Sequence, residues 1–337
     1  MLQIGIALSV LAAPNTLSFA FFGCNRIDNK DLDPVGNPSS ANRAQLKQTL
    51  AEVAAAHPAL LFAGGDIVNG YADDDGTVLK TQLAAWAKEI AWFPKSIGLV
   101  AVPGNHELNK KVSDQRMPSN LTYPFWEAFV QRAGYVSGNN GPTPASDPQD
   151  ELSLDESKMS YTIDRAGVRF IVLNTDTRTK VKDPVTGTAL GWIPAKWAGD
   201  QLARAEKDPS VHAVFILGHR NLIDPSEGKG DAPIDKRASD LLVAAMQGKK
   251  KIRAYVCAHV HAWNVRTIPG TSAIQIISGD GGSKLEKDAK EEFGWVEIQV
   301  KKDGAATYIH HHRPMPKPYD SNKPAVPSAA DAPVNLP

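Results

Sequence analysis

The chain has 337 residues, in which 37 Lys and Arg balance 37 Asp and Glu for a formal net charge of zero. This balance argues against a protein whose overall field attracts nucleic acid or an anionic membrane. The hydrophobic fraction of 42% and the charged fraction of 22% are typical of a globular protein, and two cysteines are too few for a disulfide scaffold.

The first segment, residues 1–13, is apolar and ends in small residues. It resembles the core and cleavage region of a secretory signal, but it lacks the basic residues that normally come first. We therefore expect an exported or periplasmic protein. The alternatives are a cytoplasmic protein, in which this segment is a buried first strand or a loose N-terminus, and a lipobox that ends at Cys24. No stretch reaches the roughly 20 apolar residues of a transmembrane helix.

The next two predicted strands each end in polar residues. Leu17 to Phe22 is followed by Gly23-Cys24-Asn25-Arg26, and Ala59 to Ala63 is followed by Gly64-Gly65-Asp66-Ile67-Val68-Asn69. Between the two strands, apolar residues at helical spacing predict a helix with Asn42 as its N-cap. The short apolar run before Asp66 predicts a buried strand that delivers this carboxylate to the edge of a sheet.

A third predicted strand, Ile97 to Val102, leads into Gly104-Asn105-His106-Glu107. The chain between Asp66 and Asn105 is long enough for a crossover helix, so the second and third strands are predicted to be parallel. Parallel strands place their carboxyl ends on one edge, which is where ligands bind in open α/β sheets.

Two later strands end in histidine. Val214 to Leu217 is followed by Gly218-His219-Arg220, and Ile252 to Val256 is followed by Cys257-Ala258-His259-Val260-His261. Before them, residues 134–158 are predicted to be a loop insertion because they are rich in Gly, Asn, Pro and Asp and have no periodicity. A hairpin around Gly167 is predicted to follow this loop.

The last part of the chain is predicted to continue a second sheet with three strands, Ile274 to Ile277, Trp295 to Val300 and Ala306 to His310. Asp280 is expected in a turn, and His310-His311-His312 at a solvated chain end. Residues 314–337 are rich in proline and have little apolar pattern, so we expect a disordered tail.

The polar residues at these strand ends are of the types that bind a metal. Neutral imidazole, carboxylate and amide oxygen together suit a borderline divalent ion such as Zn, Mn or Fe. The blocks around Asp66, Asn105, His219 and His259 therefore predict a metal centre at the tips of sheet strands.

In this order, the blocks resemble those of the calcineurin-like metallophosphoesterase family, whose usual blocks are D-x-H, G-D-x-x-[DN], G-N-H-[DE], G-H and G-H-x-H. The resemblance implies an α/β (α+β) fold, with two mixed β-sheets packed as a sandwich and flanked by helices. The resemblance runs from about Phe19 to about Gly282, and we place the domain at residues 14–313. It also implies hydrolysis of a phosphomonoester, phosphodiester or phosphoanhydride, in a small-molecule or macromolecular substrate, by a metal-activated water.

Carried over position by position, the resemblance implies one complete metal site with Asp66, Asn105, His219 and His259. A second site would keep Asp66 and His261, with Cys24 at the position of the family's aspartate. Arg26 replaces the histidine of D-x-H and cannot be a ligand, because guanidinium stays protonated.

The remaining assignments concern catalysis and phosphate binding. His106 is expected to be the general acid. Asn69 lies at the position where the family often has an acid that orients this histidine, and it is also expected to be among the substrate-binding residues. Arg26 is expected to supply some charge of the missing metal by binding phosphate oxygens, with help from Arg220. The alternative is a two-metal centre in which a nearby cation lowers the pKa of Cys24, so that it binds as a thiolate.

A competing function is a binding or regulatory module of the same fold. Such a module would hold a metal but would have too little positive charge to turn substrate over. The altered first block, Gly23-Cys24-Asn25-Arg26, is the feature that supports this alternative.

Overall fold

The computed structural model describes residues 16–71, 75–112, 115–132, 134–178, 190–225, 233–317, 319–320, 323 and 326–337. The predicted signal-like segment, residues 1–13, lies outside these residues. In the described part of the chain, no helix combines the length and apolar character needed to cross a membrane.

Strands and helices alternate through the first two thirds of the chain, and strands predominate after that. The helices are α1 (Arg43–Ala56), α2 (Thr77–Glu89), α3 (Asn105–Leu108), α4 (Tyr123–Val130), α5 (Ala195–Lys207) and α6 (Lys236–Met246). The strands are β1 (Thr16–Phe22), β2 (Leu60–Ala63), β3 (Gly98–Ala101), β4 (Asn109–Val112), β5 (Gln115–Pro118), β6 (Tyr161–Arg165), β7 (Val168–Val172), β8 (Ala213–Leu217), β9 (Ile252–Cys257), β10 (Trp263–Thr267), β11 (Ile274–Ser278), β12 (Glu292–Lys301), β13 (Ala306–Pro314), β14 (Ala329–Ala330) and β15 (Val334–Asn335).

Two mixed sheets form the centre of the described chain. One has the order β14-β13-β12-β1-β2-β3, with β15 also pairing with β13, and the other has the order β10-β11-β9-β8-β7-β6. The neighbours β1, β2 and β3 are parallel, as are β7, β8, β9 and β11. The carboxyl ends of the parallel strands of each sheet therefore lie on one edge of that sheet.

The sheets pack face to face through an aromatic core. The ring of Phe19 on β1 lies 5.6 Å from the ring of Phe62, 5.0 Å from that of Phe170 and 4.9 Å from that of Phe215, each in an edge-on arrangement. Aromatic pairs favour this edge-to-face geometry. Because these residues come from both sheets, they hold the carboxyl ends of β1, β2 and β8 in a fixed relation.

Helices cover the outer faces of the sandwich. Residues of α1, α2 and α4 form one hydrophobic cluster with the seven-stranded sheet, and residues of α5 and α6 form another with the six-stranded sheet. The predicted N-cap of α1 is confirmed, because the side chain of Asn42 accepts a hydrogen bond from Gln45 N at 3.2 Å. The predicted fold class, two mixed sheets flanked by helices, is confirmed.

Three predictions about the C-terminal part of the chain are wrong. The last predicted strands do not share one sheet, since β11 pairs with β9 whereas β12 and β13 extend the sheet of β1. The expected disorder of residues 314–337 does not hold for β14 and β15, which pair with β13. His310 is likewise not solvated; it is buried and its ring stacks on that of Trp263.

The loop insertion predicted at residues 134–158 is irregular apart from a short 3₁₀ turn at Pro148–Asp150. It is held by the buried carboxylate of Glu156, which accepts hydrogen bonds from Tyr123 Oη at 2.6 Å and Asn174 Nδ2 at 2.9 Å. Burial raises the pKa of Glu156 to about 8, although these two hydrogen bonds lower it.

This shift predicts that the loop anchor weakens as the pH rises. Between the unfolded pKa of about 4.5 and the folded pKa of about 8, the folded protein holds one proton more, so stability falls with rising pH. Glu156→Gln removes this dependence. As the pH rises through this window, the free energy of unfolding of the parent protein should fall relative to that of Glu156→Gln, by at most about 1.4 kcal/mol per pH unit.

Urea unfolding at pH 5, 6, 7 and 8 measures the effect. Glu151→Gln is the matched control, because Glu151 lies in the same loop with its side chain exposed. A difference between Glu156→Gln and the parent that stays constant from pH 5 to pH 8 would contradict the prediction.

Candidate metal centre

The predicted site residues lie just beyond the carboxyl ends of five strands. Asp66 follows β2, Asn105 begins the short helix after β3, His219 follows β8 and His259 follows β9. Cys24, after β1, lies beside them. All five side chains are buried, so this edge of the sandwich brings together residues that are far apart in the sequence.

The backbone at the site is unusual. Cys24, Asp66 and His259 have φ angles of +55°, +52° and +62°, in the left-handed region that residues with a Cβ rarely adopt. Such conformations cost on the order of 1 kcal/mol or more each and are found mainly at functional sites. At Gly65, which has a φ of +84°, a Cβ would lie 2.6 Å from His219 Nδ1. Glycine at this position therefore allows His219 to approach the Asp66 turn.

His219 Nε2 is the point on which the other candidate ligands converge. It lies 3.1 Å from Asp66 Oδ1, 3.0 Å from Asn105 Oδ1 and 3.2 Å from His259 Nδ1. Ligand atoms around a tetrahedral ion with bonds of about 2.0–2.2 Å lie roughly 3.3–3.6 Å apart. The three distances from His219 Nε2 are close to this spacing. Among the His, Cys, Asp and Glu side chains of the described residues, the group whose ligand atoms all lie within 4.8 Å of one another is Cys24, Asp66 and His219, and His259 is not part of it. That the four predicted side chains bind one cation stays a prediction.

The protonation of the two imidazoles is compatible with this role. His219 Nδ1 lies 2.8 Å from the carbonyl oxygen of Gly64, to which it can donate, leaving Nε2 to face the cluster. Burial lowers the pKa of His219, but Asp66 outweighs burial and raises it. A metal cation and a proton on His219 Nε2 would therefore compete for the same position. At His259, burial and the charge of Arg220 hold the pKa well below its ordinary value.

Asp66 carries the negative charge of the centre. Burial alone would raise its pKa, but His106, His219 and Arg26 outweigh burial and hold it well below the ordinary value. Its Oδ1 faces His219, and its Oδ2 lies 3.5 Å from Arg26 Nε and 3.7 Å from His106 Nε2. Asp66 is therefore ionised and lies between the candidate metal ligands on one side and the Arg26 guanidinium and the His106 imidazole on the other.

Cys24 lies in the cluster but is a neutral thiol in the chain alone. Within the described residues, Cys24, Asp66 and His219 have ligand atoms that all lie within 4.8 Å of one another. Burial and the charge of Asp66 raise the pKa of Cys24, and Arg26 lowers it by less. Arg26 thus does not offset burial and Asp66 in the chain alone, and the role of Cys24 as a second-site ligand stays a prediction. The thiol accepts a hydrogen bond from His259 N at 3.1 Å.

His106 faces the cluster without joining the ligand set. Its Nδ1 is hydrogen-bonded to the backbone carbonyl of Asn69, so Nε2 points towards Asp66. The side chain of Asn69 does not orient His106 as the resemblance implied. Instead, Asn69 Nδ2 donates to Asn29 Oδ1 at 2.8 Å. The backbone carbonyl of Asn69 therefore orients His106, whereas the resemblance implied that its side chain would.

Arg220 and His261 are bonded differently from what the sequence predicts. Arg220 Nε donates to Asp176 Oδ2 at 3.0 Å and Nη2 donates to Asp176 Oδ1 at 2.9 Å, while Nη1 lies 3.3 Å from His259 Nε2. His261 Nδ1 lies 2.7 Å from the carbonyl oxygen of Lys284. The role of Arg220 in phosphate binding and that of His261 as a second-site ligand stay predictions.

Sequence reasoning missed the structural role of Glu107. Its buried carboxylate accepts hydrogen bonds from the backbone N–H groups of Asp66 at 3.0 Å, Ile67 at 2.9 Å, Val68 at 3.2 Å and Gly104 at 3.0 Å. It therefore joins the turn that carries Asp66 to the helix that carries Asn105. The signal was present in the sequence, because a Glu three residues after a helix N-cap typically bonds back to the backbone.

Comparison with known proteins agrees with the fold. The calcineurin-like phosphoesterase family model matches residues 31–263, which is more than half of the chain and begins after the altered block at Cys24 and Arg26. No curated protein gives a match.

Two solved structures have a similar fold. One is a dimetal phosphatase from Danio rerio, with 11% identity, a TM-score of 0.55, and coverage of 87% of this chain and 95% of its own. The other is GAP50, the anchor in the inner membrane complex of Plasmodium, with 13% identity, a TM-score of 0.53, and coverage of 95% and 88%. At these identities the likeness shows the fold alone. The match of the family model shows that the chain belongs to the calcineurin-like phosphoesterase family.

Proposed function

We propose that this protein is a metal-dependent hydrolase of phosphoesters that holds one divalent cation, Mn, Fe or Zn, with Asp66, Asn105, His219 and His259. The observation that carries the proposal is the set of three contacts of 3.0–3.2 Å that His219 Nε2 makes with acceptor atoms of the other three side chains. When bound, a divalent cation supplies positive charge for a phosphoryl oxygen and makes water more acidic.

His106 is proposed to donate a proton to the departing oxygen. The Asn69 carbonyl holds Nδ1, and Nε2 is directed to the side of the site where Asp66 Oδ2 lies 3.7 Å away. The ionised carboxylate favours the protonated imidazole, which is the form a general acid requires. The Asn69 carbonyl, which lies outside the metal ligand set, thus orients the ring, and Asp66, a proposed ligand, favours its charged form.

Arg26 is proposed to supply the charge that a second cation supplies in relatives with D-x-H. Its Nε lies 3.5 Å from Asp66 Oδ2, on the side of this carboxylate away from His219, and its side chain is 17% exposed. A guanidinium in this position can form two parallel hydrogen bonds with a phosphoryl group. One metal and one fixed cation would then share the phosphate.

Metal content tests this division of charge. Restoring the family pair, with Cys24→Asp and Arg26→His, is expected to raise bound metal from about one to about two ions per chain. Asp tolerates the left-handed backbone at position 24 better than most residues. Elemental analysis after gel filtration measures the change, and Cys24→Asn with Arg26→Gln is the control, because it removes thiol and charge without adding a metal-binding pair. Two ions in the unmodified protein would contradict the one-metal proposal.

A metal-binding module with little or no turnover is the second candidate. The observation that favours it is the first block, because Arg26 occupies the place of a metal ligand and already neutralises Asp66. The similar fold of GAP50, described as an anchor, supports this candidate as an analogy.

Turnover separates the two candidates. The purified, metal-loaded protein is assayed with nitrophenyl phosphate monoesters and diesters and with a phosphoanhydride. Hydrolysis that requires metal and is slowed in His106→Asn supports the hydrolase. Stoichiometric metal binding without turnover of any of these substrates would favour the binding module.

A further inference from the structure

Tyr71 lies against the candidate centre, although no motif points to it. It follows Asn69 and Gly70 on the segment that leaves the Asp66 turn, and its φ of +50° is in the left-handed region. Its backbone N–H donates to the carbonyl oxygen of His106 at 2.8 Å. A bulky residue in this backbone region is a strained feature of the kind that concentrates at functional sites.

The phenol oxygen of Tyr71 accepts a hydrogen bond from Asn105 Nδ2. In this arrangement the bond holds the donor end of the amide on the side of Tyr71 and leaves the acceptor end on the side of the candidate metal ligands. With Nδ2 bound to Tyr71, Asn105 Oδ1 faces His219 Nε2 at 3.0 Å. Only the oxygen end of the amide can bind a cation.

The ring of Tyr71 also packs on His106, with ring centroids 3.8 Å apart and planes inclined by 45°. The Tyr71 phenol is electrostatically coupled to both arginines of the site. Burial lowers the pKa of Arg26 and of Arg220. Asp66 raises the pKa of Arg26 and Asp176 raises that of Arg220, and the Tyr71 phenol adds a smaller raising effect to each. One side chain therefore contacts the amide ligand and the general-acid candidate and lies near two cationic groups.

We propose that Tyr71 is a positioning residue of the metal centre, which holds the Asn105 amide with its oxygen towards the cation and packs against His106. The inference rests on the proposed function in that it assumes Asn105 to be a ligand. It concerns a residue outside the family's motif blocks.

Metal affinity tests the inference independently of turnover. Tyr71→Phe keeps the ring against His106 and removes the acceptor, so we expect the affinity for Mn²⁺ or Co²⁺, measured by competition with a chelator, to fall by about 10-fold. The visible absorption of bound Co²⁺ should change as well, because the ligand set is disturbed. Tyr161→Phe is the control, since the buried hydroxyl of Tyr161 has no hydrogen-bond partner among the described residues.

A double-mutant cycle distinguishes positioning from general support of the fold. In an Asn105→Ala background, Tyr71→Phe should have no further effect on metal affinity, because the amide that it orients is gone. An unchanged affinity in Tyr71→Phe, or an equal loss in both backgrounds, would overturn the inference. A protein that binds no divalent cation would overturn both proposals. One that binds the cation and shows the coupling but has no turnover would overturn the hydrolase alone.

Discussion

Asp66→Asn is expected to weaken binding of the divalent cation by about 100-fold or more and to lower phosphoesterase activity by about 10³-fold or more. Among the four proposed ligands, Asp66 is the only anionic side chain, and the substitution keeps its shape while removing its charge. Isothermal titration with Mn²⁺ and the rate of nitrophenyl phosphate hydrolysis measure the two effects. Asp240→Asn, a change at an exposed helical carboxylate, is the matched control.

The same variant should lose the stability gained from metal. A ligand that binds only the folded state stabilises it by about 2.7 kcal/mol at 100 times its Kd. Urea unfolding of the parent protein should therefore shift on addition of Mn²⁺, and that of Asp66→Asn should not. In EDTA the variant is also expected to be less stable, by up to about 3 kcal/mol, because Arg26 would then be largely buried without its partner. Asp66→Asn that binds Mn²⁺ like the parent would exclude Asp66 as a ligand.

The placement of the proposed ligands at one edge of the sandwich could be predicted because it follows from local patterns. The short apolar runs before Asp66 and His219 indicate buried parallel strands, and the carboxyl ends of such strands share an edge. The structure confirms strands β2 and β8 at these positions, with every residue buried. Neither inference required knowledge of distant contacts.

The contacts around the ligands could not be predicted, because each depends on a neighbour from elsewhere in the chain. The side chain of Asn69 turns away from His106 to Asn29, and its carbonyl takes over. The pKa of Cys24 reflects complete burial together with Asp66, which outweigh Arg26. A sequence shows which charged groups are present, but the direction of the pKa shift that they cause depends on burial and on the distances between the groups.

The C-terminal part of the chain illustrates the same limit for the fold. A proline-rich segment has no local reason to be ordered, yet Ala329 and Ala330 pair with His312 and His311 on β13. His310 is held by the buried carboxylate of Asp280, at 2.9 Å, and by the ring of Trp263. Asp280 was expected in an ordinary turn. These residues are held in place by contacts with residues that are distant in sequence. Such contacts leave no periodic pattern from which they could be predicted.

His106→Asn is expected to lower the rate of hydrolysis by about 10²–10⁴-fold while leaving metal content unchanged, since the imidazole lies outside the proposed ligand set. The size of the loss should depend on the leaving group. Phenolate is a poor leaving group that needs a proton, whereas dinitrophenolate departs without one. The loss should therefore be large for phenyl phosphate and small for 2,4-dinitrophenyl phosphate.

Comparing these two esters isolates proton donation from any structural role of the ring. His212→Asn is the control, because His212 is exposed at the opposite end of β8. If His106 only supports the Asp66 turn or packs against Tyr71, its replacement slows both esters by the same factor. Equal losses would therefore remove His106 as the general acid and leave the cation and Arg26 as the remaining sources of leaving-group stabilisation. A loss confined to the poor leaving group identifies the imidazole as the proton donor, because no other change in the site makes the rate depend on the basicity of the departing oxygen in this way.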